Sequence, residues 1–167
     1  MRILILIITT LFFLQCTDTT KNGDTASTEL TTSDNRFEAT TEKIKSKHSV
    51  DDTANKLQKA LMDKGMNVFT TIKHHSGAEA VGLDLRPTMT IIFGNPKVGT
   101  KLMQCSQTSG IDQPMKALIW EDEAGDVWLA YNSVEYLTKR HGTAECAAEV
   151  VPKIENALAN FAQAATE

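Results

Sequence analysis

Apolar residues follow two spacings along this chain. Val50, Ala54, Leu57 and Leu61 recur every three or four positions and predict a helix with one apolar face. Ser49-Val-Asp-Asp52 opens that helix as a capping pattern that puts acid on the first turn, and Gly65 follows Asp63-Lys64 as its stop. Phe37 to Lys47, Met66 to Ile72 and Met89 to Phe93 read as strands, rich in β-branched and aromatic residues. The third is the continuous apolar run of a buried strand, held between the corners Arg86-Pro87 and Gly94 to Gly99. Lys116 to Asp122 and Val127 to Tyr131 predict a hairpin turning through Glu123-Ala-Gly-Asp126. Its facing Trp120 and Trp128 read as a cross-strand pair in the sheet core.

Between these elements the pattern is weaker. Pro96 to Gln104 predicts a short helix, Ser133 to His141 another, and Thr143 to Thr166 a last one striped by Val150 or Val151, Ile154, Leu158 and Phe161. Pro152 either kinks that helix or marks its true start. His74 to Gly77 and Ser106 to Pro114 read as loops, and Ala78 to Leu85 as a helical turn running into a strand. The sum is a single α+β domain: β-α, then a largely antiparallel sheet with helices on one face and a C-terminal helix.

Composition adds an address. Arg2, the uncharged run Ile3 to Leu14 and Cys16 have the order of an export signal, and the apolar run is too short for a membrane span. A Cys directly after the run resembles a bacterial lipoprotein signal, with residues 1–15 removed and Cys16 acylated. Leu14 and Gln15 depart from the small residues usual there, so a conventional signal with an incidental Cys is the alternative. Residues 16–35 carry Thr17, Thr19, Thr20, Thr25, Thr28, Thr31 and Thr32 with almost no large apolar side chain, and read as a disordered tether. A coil of that length reaches about 25 Å. Residues 36–167 are then the folded domain, in the envelope, periplasmic or surface-facing, with the bilayer as a partner through Cys16. With 17 Lys and Arg against 21 Asp and Glu, the chain lacks the basic balance that nucleic acid selects.

Candidate chemistry is sparse. Gly94-Asn-Pro-Lys-Val-Gly-Thr-Lys101 has the wrong order for a Walker loop, which needs Gly-Lys-Ser/Thr. Two readings of it stand: an anion held at a helix start with Lys97 and Lys101 near, or a tight connection shaped by its glycines. Arg86 on its fixed corner is either a carboxylate or phosphate reader or a structural partner of Asp84 or Asp122. His48, His74, His75 and His141 show no metal-ligand spacing, so no metal and no cofactor are expected; a soft-metal site at Met103, Cys105, Met115 or His141 is the minor alternative. Cys105 and Cys146 remain after lipidation. They are a disulfide, two buried thiols, or a nucleophile with His141.

One set of motifs points to a family. Lys64-Gly65, the Gly82 to Pro87 corner, Phe93-Gly-Asn-Pro-Lys-Val-Gly-Thr-Lys-Leu-Met103, the Pro114 to Gly125 hairpin and Tyr131-Asn132 stand in order. This pattern resembles the DUF302 family, a bacterial domain of unknown function, over roughly residues 37–163. The resemblance implies a fold of TATA-binding-protein-like architecture and a tendency to homodimerise, and it carries no catalytic residues. Cys105, Cys146 and the leader lie outside the pattern. The functional expectation is an envelope lipoprotein that binds a small ligand, an anion being one option, at Arg86, Asn95, Lys97 and Tyr131 without catalysis. A structural domain that meets envelope proteins is the alternative, and a thiol or soft-metal enzyme the third.

Overall fold

The structure, a computed structural model, describes residues 35–167. The expected leader, the acylated Cys16 and nearly all of the tether lie outside the described residues. Five strands, β1 (Thr41–Ser46), β2 (Asn67–Lys73), β3 (Thr88–Gly94), β4 (Met115–Glu121) and β5 (Val127–Asn132), form one sheet in the order β1-β5-β4-β3-β2, with every neighbouring pair antiparallel. After a helical segment at 35–40, the helices are α1 (Val50–Asp63), α2 (His74–Ala80), α3 (Pro96–Cys105), α4 (Val134–His141) and α5 (Val151–Thr166), with a 3-10 turn at Gln107–Ile111.

One face of the sheet makes the core. Met89, Ile91 and Phe93 of β3 point the same way as Ala117 and Ile119 of β4 and Leu129 of β5, as the pleat requires. α1 lays Ala54, Leu57 and Leu61 on them, and α5 adds Leu158, Phe161, Ala162 and Ala165. The expected helix face is thus the observed one, capped as expected by the Ser49 side chain on the Asp52 N–H. Pro152 marks the start of α5 rather than a kink, because its missing N–H costs nothing in the first turn.

Several expectations need correcting. Residues 35–40 are helical instead of starting a strand; the Thr40 and Thr41 hydroxyls bond back to the Arg36 and Phe37 carbonyls, which holds the turn closed. His74 begins a helix, not a loop, and its imidazole meets Thr90 Oγ1 while that of His75 meets the Thr88 backbone. The loop before β4 contains the 3-10 turn. Trp120 and Trp128 do pair across strands, but on the face away from the core helices. There Phe37 packs edge-on against Trp120 and the Lys43 ammonium sits 4.3 Å from the Trp128 ring.

Candidate functional site

Five elements bound a cavity of about 160 Å³ at the end of the sheet where β3 runs out. Phe93 of β3 and Met115 of β4 form its floor. α3 turns Val98 and Leu102 into it, one helical turn apart. α4 contributes Val134, Leu137, Thr138 and His141, the i, i+3, i+4, i+7 stripe of a single face. α5 adds Ile154, Ala157, Leu158 and Phe161 by the same rule. The walls are therefore largely apolar helix faces, of which only that of α5 was visible in the sequence, and they meet without filling the space between them.

Polar groups gather at one part of this cavity. In a 3-10 turn, side chains three apart eclipse, so Ser109 in the turn and Asp112 just after it share a side. Asp112 accepts a hydrogen bond of 2.6 Å from His141 Nε2; the carboxylate can only accept, so Nε2 carries the proton. Arg140 approaches the same carboxylate at 3.3 Å from outside. The imidazole and the carboxylate are both largely buried, with side chains 8% and 12% exposed. Ser109 is buried as well, and its Oγ has no hydrogen-bond partner among the described residues. A buried hydroxyl left without a partner costs about 1–3 kcal/mol.

The disulfide Cys105–Cys146 stands beside the cavity, its Cα atoms 5.9 Å apart. It ties the last residue of α3 to the turns that precede α5. In this state Cys105 holds no thiol, so the pairing of a Cys105 nucleophile with His141 has no atom to act through. No cluster of three metal-type ligands occurs among the described residues.

The residues expected to form one site do not converge. Arg86 and Asn95 flank β3 at opposite ends, about 25–30 Å apart along an extended chain. Arg86 is exposed; its Nε donates to the Glu121 carbonyl at 3.2 Å and its guanidinium lies 3.6 Å from Glu123. Tyr131 points into the core, and burial, with Glu42 beside it, pushes its phenol above the usual range. Lys97 is exposed. Only Asn95 lines the cavity. Its side chain caps the Lys97 N–H, the N–H groups of Val98 and Gly99 turn back to its carbonyl, and Pro96 has none. The start of α3 therefore keeps no free first-turn donor for an anion. Sequence reasoning passed over Ser109 and Asp112. The one signal was His141 ending an amphipathic helix, since its partner is 29 residues away.

The family match and a solved structure agree on the fold. The family described as "Domain of unknown function DUF302" matches residues 42–161. A solved DUF302 protein from Bacillus stearothermophilus, titled an uncharacterized conserved protein, superposes with a TM-score of 0.67 at 17% identity, covering 75% of this chain and 97% of its own. Among curated proteins, "Fluoride-specific ion channel FluC 1" of Brucella suis is 48% identical over 98 residues, 59% of this chain. "Fluoride-specific ion channel FluC 2" of Brucella melitensis is equally similar. The chain spans only 39% and 36% of the length of these two relatives. Since 34 residues precede the described part, most of a 98-residue match falls within it, and no helix there is long and apolar enough to cross a membrane.

Proposed function

Because the chain belongs to the DUF302 family, a family of unknown function, we propose from the site itself that the protein is a non-catalytic binding module for a small, largely apolar ligand. The cavity between α3, α4 and α5 carries this reading. Its volume, about 160 Å³, is that of an apolar space which admits a molecule the size of benzene. The bonded state of Cys105, and a Ser109 Oγ that meets no base among the described residues, support a role without covalent chemistry. The anion option is dropped, because the donors it needs are engaged.

In this reading Cys16 is acylated and holds the module at the bacterial envelope. The charged start, apolar run and Thr-rich segment support it, as does a disulfide, which persists in oxidising compartments. Transport is not part of the reading. The stretch shared with the fluoride channels is instead a module joined to different carriers, a channel there and a lipid here.

Toluene, indole and benzyl alcohol at millimolar concentration test the proposal in thermal shift against the purified protein. At least one raises the melting temperature by several degrees, while Ala157→Leu, which fills the cavity, abolishes the shift. No shift with any probe, or an equal shift in both proteins, contradicts it.

A second reading rests on a separate observation. Phe69 and Ile72 on β2 and Val81, Leu83 and Leu85 before β3 are large apolar residues between 40% and 72% exposed. Such a surface suits a second copy of this chain. Sedimentation of the wild type and of Leu83→Lys/Leu85→Lys measures it: a dimer that the double variant disperses supports the reading, and a wild-type monomer at high concentration refutes it.

A further inference from the structure

We infer that the ligand of this cavity is neutral, with an apolar body the size of a single ring and one hydroxyl or carbonyl oxygen that hydrogen-bonds to Ser109. The inference rests on the cavity being a binding site, and adds what would recognise the occupant. Ser109 is 4% exposed, lines the cavity, and leaves its Oγ without a partner. A buried hydroxyl in a native structure calls for something to bond it. Nearby polar side chains do not answer it: Thr138 Oγ1 donates to the Glu135 carbonyl, and His141 Nε2 is engaged by Asp112. The partner therefore has to come from outside the described residues, and a ligand oxygen that can accept from or donate to a hydroxyl supplies it.

Charge selects further. Asp112 and Lys153 put one charge of each sign on the cavity lining, so neither sign is selected by attraction, and the apolar walls would strip an anionic head of its water. The Asp112 carboxylate is already paired with His141 and Arg140, so it offers a cation little, and the apolar walls would strip a cation of water without repaying it. A neutral oxygen pays the smallest desolvation cost. Size is set by the three helix faces and the strand floor, whose space admits a ring and excludes a long chain.

Ser109 then has a signature that a structural residue lacks. Its hydroxyl contributes no hydrogen bond to the empty protein, so Ser109→Ala leaves the unliganded stability unchanged or slightly higher, and its cost falls only on the oxygen-bearing ligand. Isothermal titration with phenol, toluene and benzoate, on the wild type and on Ser109→Ala, reads this directly. The expected result is that phenol and toluene bind the wild type, benzoate does not, and the variant lowers the phenol-to-toluene affinity ratio by roughly three- to tenfold with toluene unaffected. If neither phenol nor toluene binds, the cavity reading itself fails. If both bind and the ratio is unchanged in Ser109→Ala, water already satisfies the hydroxyl and this inference fails alone. Benzoate binding more tightly than phenol overturns the neutral class.

Discussion

Asp122 shows how one side chain can set a turn. Its Oδ1 accepts from the Ala124 and Asp126 N–H groups and its Oδ2 from Trp128 Nε1 at 2.7 Å, closing the hairpin that joins β4 to β5. The indole N–H is the largest of the causes that hold this carboxyl below the ordinary aspartate value of 3.8, followed by the Asp126 N–H. A folded pKa below the unfolded one means that the turn's contribution is fully present above the ordinary value and is lost as pH falls through the lowered one. Carboxyl NMR therefore finds Asp122 titrating below 3.8, and Trp128→Phe moves it upward; a midpoint at or above 3.8 in the wild type contradicts this. At the other extreme of burial, Leu61 is 0% exposed against the sheet. Leu61→Ala lowers unfolding stability by about 3 kcal/mol in urea titration, and a loss under about 1 kcal/mol would mean the core is looser than described.

Among the elements, α3 is weakly held, as α2 is. None of its residues is fully buried, and the disulfide fastens its end. The bridge closes a sequence separation of 41 residues, for which chain entropy gives about 4 kcal/mol. Cys105→Ser/Cys146→Ser loses stability on that scale, and hydrogen exchange shows α3 opening before α1. Equal protection of the two helices in the variant contradicts the assignment. Elements with a strong period were readable from residues alone: α1, α5 and the β4–β5 hairpin each carry a stripe or an alternation. α2 was not, because it buries no residue and includes Gly77, so it has no apolar face to read. The cavity was half legible. Ile154, Leu158 and Phe161 stood out as a stripe, but a stripe does not reveal that its neighbours leave a space. Ser109 and Asp112 stayed hidden because tertiary folding, not spacing, brings them to His141.

The described residues form one core covered by helices on one face of the sheet, with Phe37 and Lys43 against the tryptophans of the other face and a cavity at the sheet's end. Arg86 and Asn95 looked like a single polar corner in sequence because only seven strand residues and a proline separate them; an extended strand makes that short interval a long distance. The leader predicts that the full chain takes up radiolabelled palmitate in a bacterial host and that Cys16→Ala does not; label retained in the variant removes the lipid anchor. The claim on which the functional account depends is simpler: an accessible apolar space exists between α3, α4 and α5. Crystals pressurised with xenon test it most directly. The account predicts a xenon peak among Phe93, Leu102, Leu137 and Ile154, absent from Ala157→Leu crystals. Side chains packed across that space in the wild type, with no xenon bound, would contradict it.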